Sequence, residues 1–191
     1  RATEGWDILG TIATEIDRLT DVTAHYLQLA RRPPAKLGRT VLSDLVRDVE
    51  RLLAAELESR DVKLSLKLAE MPPCLVDGNQ FRQALLNVVR NAVEAGAKTL
   101  RLTTRFEDGL VEIALADDGP GMGPEDIERA TDPFYSTKAS GTGLGLAITR
   151  QILEDHDGSI RVLSTPGRGT DIALVFPFRP APAELAEAPP A

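Results

Sequence analysis

Between Ala2 and Ala30 there is no Pro, and apolar or small residues recur at alternating steps of three and four: Leu9, Ile12, Ile16, Leu19, Thr23, Tyr26 and Ala30. That spacing predicts one long helix with a heptad seam. Roughly 29 residues at about 1.5 Å each make a rod of about 43 Å whose narrow stripe calls for partner helices. Arg31-Arg32-Pro33-Pro34 ends it, because Pro cannot continue a helix and pushes its predecessor out of helical dihedrals. A linker is expected over 33–42, then a helix to Ser59 with Ser43 as N-cap and Leu45, Val49, Leu52, Leu53 and Leu57 on its buried face.

From Val62 the period changes to two. Val62, Leu64, Leu66 and Leu68 alternate with Lys63, Ser65 and Lys67, the mark of a half-buried strand. A short strand is expected at Cys74 to Asp77 and a helix at Asn79 to Ala95. Two alternating strands follow, Thr99 to Arg105 and Leu110 to Asp117, around a turn at Glu107-Asp108-Gly109. A Gly-rich stretch over 118–142 precedes a helix from Leu144 to Asp155 and strands at Ser159 to Ser164 and Thr170 to Phe176. Irregular alternation of this kind indicates an α+β fold, a two-layer sandwich with helices on one face of a mixed sheet. The Pro, Ala and Glu pattern from Pro180 predicts a disordered tail.

Composition narrows the function classes. The chain has 191 residues, 42% of them hydrophobic, enough for one full-sized core or two small ones. Its 22 Lys and Arg against 29 Asp and Glu give a net charge of -7, the wrong sign for gripping nucleic acid through phosphates. Cys74 is the single cysteine, and His25 and His156 are the two histidines, so neither an internal disulfide nor a zinc cluster is expected. No apolar run is long enough to span a bilayer and no signal segment opens the chain, which points to a reducing, cytoplasmic setting. The start at Arg1 rather than Met leads to the expectation of a fragment, with room for a membrane anchor in the parent before it.

Four constellations carry candidate chemistry. Asn87, Arg90, Asn91 and Glu94 share one helical stripe, while Phe81, Leu85, Val88 and Ala92 face elsewhere. Asn carbonyl oxygens suit a hydrated Mg²⁺, which brings phosphates with it; a plain polar helix face has the same pattern. Asp117-Asp118-Gly119-Pro120-Gly121-Met122-Gly123 follows a strand, where an Asp can accept from a ligand amino group and glycines permit close backbone approach. Ser140-Gly141-Thr142-Gly143-Leu144-Gly145-Leu146 opens a helix whose free amides can cradle an anion. Gly167-Arg168-Gly169-Thr170 is a turn into the last strand. Neither the P-loop nor the dinucleotide fingerprint is present, nor is the His-Arg-Asp loop of protein serine kinases. The specific signal is the joint order of all four.

In that order the chain resembles the ATP-binding catalytic domain of bacterial sensor histidine kinases, in the superfamily that includes gyrase, the heat-shock chaperone and mismatch-repair ATPases. Asn87-Val-Val-Arg-Asn91-Ala-Val-Glu-Ala95 is similar to its N box, Asp117-Asp-Gly-Pro-Gly121 to its G1 box and Asp132-Pro-Phe134-Tyr-Ser-Thr-Lys138 to its F box. Gly141-Thr-Gly-Leu-Gly145-Leu resembles the G2 box and Gly167-Arg-Gly-Thr170 the last one, and the lid is most like the nitrogen-regulation type. The resemblance implies a Bergerat-type fold at 43–179 and makes 1–32 the second helix of a dimerisation and phosphotransfer bundle, through which the protein would pair as a homodimer.

The resemblance also implies roles. Asp117 would bind the adenine amino group, with Gly119 and Gly121 shaping its turn and Thr170 assisting through water. Asn91 would hold Mg²⁺, with Asn87 beside it; Lys138 and the amides of Gly143, Leu144 and Gly145, reached past Gly141, would contact phosphates; Phe134 would anchor the lid. ATP and Mg²⁺ are the implied cofactors, and a phosphoacceptor His on the first bundle helix and a response-regulator receiver domain the implied partners. Positioning and charge neutralisation are what phosphoryl transfer asks of a protein. Asn87 stands where the ATPase relatives place a water-activating Glu, and an amide is a poor base, so Asn87 and Lys138 are read as serving transfer rather than hydrolysis.

The chain departs from the family in two ways. No His stands in the acceptor pattern; His25 and His156 are read as structural, the latter at a helix end where the dipole favours a cation, and the acceptor helix is expected before Arg1. Glu94 stands where many relatives carry a phosphate-touching base. An ATP-hydrolysing machine of the same superfamily, or a nucleotide-gated interaction module without catalysis, stays open at this level.

Overall fold

The computed structural model describes residues 34–138 and 141–182. The expected bundle helix with His25, and the expected tail from 183 onward, lie outside them. In chain order the elements are β1 (Gly38–Thr40), α1 (Leu42–Ser59), β2 (Lys63–Lys67), β3 (Cys74–Val76), α2 (Gly78–Glu94), β4 (Thr99–Glu107), β5 (Leu110–Asp117), α3 (Pro124–Arg129), α4 (Gly145–Glu154), β6 (Ser159–Thr165) and β7 (Gly169–Pro177). Five strands form one sheet in the order β2-β4-β5-β7-β6, with β2 parallel to β4 and the other pairs antiparallel. The mixed sheet of the α+β expectation is therefore present.

Alternation along the strands decides which face is covered. Leu100, Leu102, Val111, Ile113, Leu115, Ile172, Leu174 and Phe176 are buried, while Arg101, Arg105, Glu112 and Arg161 stand on the opposite face, where Glu112 pairs with both Arg105 and Arg161. Leu85, Val88 and Val89 of α2 meet Leu102, Ile113, Leu115, Ile172 and Leu174 of the sheet. Helix α2 packs between α1 and α4. Each fully buried side chain of this size contributes about 1.5–3 kcal/mol, so this layer fixes α2 and with it Asn87 and Asn91.

Local chemistry sets the ends. The β4–β5 hairpin turns on Asp108 and Gly109, at φ 52° and 75°, the two positive values a two-residue type I′ turn requires. Asp77 caps α2 by accepting from Asn79 N–H at 3.0 Å and Gln80 N–H at 3.1 Å. Its other oxygen takes Lys36 N–H at 2.8 Å, and its own N–H donates to His156 Nε2 at 3.0 Å.

Several expectations need correction. Gly38–Thr40, expected as linker, is a strand paired antiparallel with Cys74–Val76; three residues carry too little periodicity to be seen. Helix α1 starts two residues early with Val41 at its N-cap position and no side-chain cap, so Ser43 does not cap it. Leu52 falls at the edge of the apolar stripe and is 63% exposed, while Leu42 and Val46 are buried. A short helix, α3, interrupts the Gly-rich stretch, started by Pro124 and acidic Glu125 and Asp126 in its first turn. Past β7 the chain stays paired as far as Ala181, whose N–H donates to Pro73 O at 3.1 Å, with Leu75 N–H on Arg179 O at 2.8 Å. His156 is no cation at a helix end: it is 3% exposed, its Nδ1–H donates to Ile152 O at 2.7 Å and its Nε2 accepts from Asp77, which requires the neutral ring. Cys74 is fully buried, and desolvation pushes its thiol up to about 11.

Candidate functional site

Two groups of side chains converge at the C-terminal end of β5 and the ends of α2 and α4. In the first, Asp117 ends β5. Its Oδ1 accepts from Gly119 N–H at 2.8 Å and Thr170 N–H at 3.2 Å, and among the described residues no donor reaches Oδ2. Burial pushes the Asp117 carboxyl above its ordinary value, against the pull of those two amides and, more weakly, of the Lys138 charge. A half-used, partly desolvated carboxylate is what selects an amino group over water.

The chain around Asp117 is held by close backbone contact. A Cβ on Gly169, at φ 92°, would stand 1.9 Å from Asp117 O, and one on Gly121, at φ 70°, would stand 2.1 Å from Thr165 O. Neither position admits a side chain. Gly119 is restricted more softly, its Cβ meeting Asp117 Oδ1 at 2.9 Å. Gly167 N–H donates to Pro120 O at 2.7 Å and Met122 N–H to Ser164 Oγ at 2.8 Å, joining the 118–123 loop to the β6–β7 turn. Ser164 Oγ donates to Gly169 O at 2.8 Å and lies 3.0 Å from Thr170 Oγ1. Asp118 turns the other way, its Oδ1 accepting from Lys98 N–H at 2.7 Å and Thr99 N–H at 2.8 Å; the amides of Thr99 and then Lys98 hold its carboxyl below the ordinary value.

In the second group, Asn87 Nδ2 donates to Gly145 O at 3.1 Å, fixing the start of α4 against α2. Helix α4 opens with Leu144 fully buried and not capping the first turn with its own side chain, while the Leu144 N–H donates to Thr142 Oγ1 at 3.4 Å; uncapped helix starts of this kind are where anions bind. One turn along α2, Lys138 Nζ donates to Asn91 Oδ1 at 2.6 Å, to Asn91 O at 2.9 Å and to Glu94 Oε2 at 3.2 Å. These three oxygens already surround a cation, the ammonium. The donor set therefore fits the Mg²⁺ read for Asn91, hard oxygens with phosphates completing the shell. Among the described residues no group of three His, Cys, Asp or Glu offers another metal site.

The lid closes on itself through backbone. Phe134 N–H donates to Gly143 O at 3.0 Å, and Gly143, at φ 66°, would bring a Cβ to 2.5 Å from Phe134 C. Phe134 itself has φ 65° and is 59% exposed, so its contact with Gly143 runs through backbone while its ring faces outward. A Cβ on Gly141 would meet side chains and not backbone, Ser136 Oγ at 2.2 Å and Lys138 Cβ at 3.3 Å. Tyr135 Oη donates to Asp126 Oδ1 at 2.5 Å and its ring carries the Arg129 guanidinium at 4.1 Å, which ties the lid to α3.

The site residues read from the sequence thus fall into an Asp117–Gly119–Gly121–Thr170 group and an Asn87–Asn91–Lys138–Gly145 group, the Lys138 charge reaching Asp117. Asp118, Ser164, Asp126 and Arg129 were not foreseen as supports. For Asp118 the doubled Asp was the available signal; for the others no local pattern exists, since their partners are distant in sequence.

A family model described as histidine kinase-, DNA gyrase B- and HSP90-like ATPase matches residues 76–180. The chain belongs to this family. Its match spans α2 to β7 and so contains every residue of the two groups. Among curated proteins, the sensor histidine kinase ZraS of Klebsiella oxytoca is 34% identical over 171 residues, covering 87% of this chain and 37% of that protein. Among solved structures, full-length ShkA in complex with AMPPNP superposes with a TM-score of 0.81 at 27% identity, over 93% of this chain and 39% of that one. The histidine kinase ThkA in complex with the response regulator protein TrrA shares the fold, with a TM-score of 0.78 at 23% identity over 91% of this chain and 51% of that one. The chain spans between 23% and 41% of the length of the curated relatives it matches. Residues 76–180 carry the ATPase-like domain of this family, and the curated relative ZraS is a sensor histidine kinase. No helix among the described residues is long and apolar enough to cross a membrane.

Proposed function

We propose that the domain binds Mg²⁺ and ATP between the two groups and hands the γ-phosphoryl group to the His of a bundle helix, from which it passes to an Asp of a response regulator. The observation that carries this is the pairing, in one site, of a half-used carboxylate at Asp117 with an oxygen cradle at Asn91 that already holds a cation. In this reading Asp117 Oδ2 accepts from the adenine amino group, and Thr170 Oγ1 supports a water beside it. Asn91 Oδ1 holds the cation, which when bound supplies charge neutralisation to the phosphates. Lys138 and the amides of Gly143, Leu144 and Gly145 at the start of α4 take phosphate oxygens, stabilising charge as the phosphoryl group leaves ADP for the imidazole nitrogen.

Hydrolysis is disfavoured by Asn87: its amide donates to Gly145 O and has no basic atom to take a proton from water. Residues 1–32 are assigned to the bundle, where the protein would pair with a second copy, and the whole is assigned to the cytoplasmic side. The complex of ThkA with a response regulator supports the same class of partner here.

Titration of Mg²⁺ and ATP against the chain and its Asp117→Ala variant tests the site. Loss of a charge-assisted hydrogen bond predicts affinity weaker by about tenfold to a hundredfold; equal affinity would sink the adenine assignment. Supplying a bundle helix bearing an acceptor His in trans should yield phosphohistidine. Steady ATP turnover without acceptor favours the ATPase reading instead, and binding with neither outcome favours an interaction module.

A further inference from the structure

Asn91 and Lys138 have separate tasks in the proposed site, one on the cation and one on phosphate, yet here each occupies the other. Lys138 Nζ lies 2.6 Å from Asn91 Oδ1 and 2.9 Å from Asn91 O. An amide oxygen that close to an ammonium has no room for a second cation, and two cations at one oxygen repel. Either the lysine or the nucleotide's metal ion can use Asn91 at a given time. Neutral oxygens alone hold an ammonium weakly, and the charge that completes the cradle is Glu94, whose Oε2 is 3.2 Å from Nζ. Glu94 stands three residues after Asn91, on the same stripe of α2, so one helix turn presents both partners to the lid.

We infer that Glu94 is a positioning residue that parks Lys138 on Asn91, so that docking of the lid on phosphate requires exchange of Lys138 for the nucleotide's Mg²⁺. The inference rests on the nucleotide site proposed above and assigns a role to the one residue of the stripe that departs from the family pattern. It also accounts for an acid beside a polyanion. A bare carboxylate there would repel phosphate, whereas Glu94 is neutralised first by Lys138 and, after the exchange, by the incoming cation. Lys138 is three-quarters buried in this arrangement, so releasing it removes the side-chain contact that ties residues 134–138 to α2.

The experiment uses the full 191-residue chain. Hydrogen–deuterium exchange across 134–143 is measured without nucleotide in wild type, Glu94→Gln and Glu94→Asp. Parking predicts exchange faster by about threefold to tenfold in Glu94→Gln, with partial rescue by Glu94→Asp, as expected for one partly exposed ion pair. Affinity for a fluorescent ATP analogue with Mg²⁺ is then measured for Glu94→Gln in the wild-type and Lys138→Met backgrounds. Parking predicts tightening by a similar factor in the first and none in the second, because the competitor is already gone. Unchanged lid exchange, absence of tightening, or equal tightening in both backgrounds, as simple charge repulsion would give, overturns the inference. A wild-type chain that binds no nucleotide overturns the proposed function instead, while the exchange measurement still reads the parked lysine.

Discussion

At the end of β5, Asp117 is fixed by backbone on every side: two amides on its Oδ1, Gly169 packed against its carbonyl and Gly121 against the carbonyl of Thr165. Further along the chain, Lys138 is held by side-chain oxygens of α2 and one carbonyl, on a loop joined to the start of α4 through the Phe134 to Gly143 hydrogen bond. The first region can select a ligand because nothing in it can shift without breaking the sheet. The second can change partners because its contacts are few and replaceable. A site that must recognise a base and then respond to phosphates needs both, and two glycines mark the contrast: at Gly169 beside Asp117 a Cβ would hit backbone, while at Gly141 in the lid it would meet the side chains of Ser136 and Lys138, although Gly143 at the lid's end is closed to a side chain by the backbone of Phe134 and Tyr135.

Two alanine substitutions break the comparison most sharply. Gly169→Ala forces both a φ of 92° and a 1.9 Å collision with Asp117 O, and is expected to cost about 2–4 kcal/mol in denaturant unfolding and to abolish nucleotide binding. Gly141→Ala meets the Ser136 hydroxyl, which can rotate away, and Lys138 Cβ at 3.3 Å, which must give by a few tenths of an ångström, and is expected to cost less than about 1 kcal/mol. Comparable losses in the two variants would show that the lid is as rigid as the strand end.

The neighbouring carboxylates of the rigid region sharpen it further, because their stability linkages run in opposite directions. Burial holds the Asp117 carboxyl above 3.8, so its contribution is fully present below the unfolded value and is lost as pH rises through the folded one. At neutral pH Asp117 is a cost accepted for binding. Asp117→Asn should therefore bind nucleotide about tenfold or more weakly while unfolding at an equal or higher temperature than wild type. Affinity of the wild type should fall on acidification, starting at a higher pH than an Asp at its ordinary value of 3.8 would give. The amides of Thr99 and Lys98 hold Asp118 below 3.8, so its stabilisation is present above that value and is lost as pH falls through the folded one. Asp118→Asn should lower the unfolding temperature at pH 7, with the gap to wild type closing under strong acid. A stabilised Asp118→Asn or a destabilised Asp117→Asn would reverse the assignment of ligand and structural carboxylate.

Legibility in the sequence follows the same division. Strands, helices and the boxes around Asp117 were readable because period-two alternation, the Asp108-Gly109 turn and ordered glycines are local signals. What escaped depends on contacts between distant residues. Gly38–Thr40 is a strand only because Cys74–Val76 lies beside it, and His156 is neutral because Asp77, 79 positions earlier, donates to its ring. Glu94 was visible as a departure, but its partner Lys138 is 44 residues away and only the fold brings the two within 3.2 Å.

The smallest effect should come from the tie between lid and α3. Tyr135→Phe removes the hydroxyl that donates to Asp126 but keeps the ring under Arg129. The tie lies at the surface, so global stability should hardly change, while exchange across 134–138 should quicken by about two- to threefold. The bond to Asp126 also holds the Tyr135 hydroxyl above the ordinary 10.0, since a phenolate beside a carboxylate would lose the bond and gain a repulsion. An alkaline absorbance titration should thus contain a late phenolate step that Tyr135→Phe removes and Asp126→Asn moves earlier. If Tyr135→Phe leaves lid exchange at the wild-type rate, α3 does not restrain the lid, and Lys138 on Asn91 and Glu94 remains as its side-chain attachment to the helical layer.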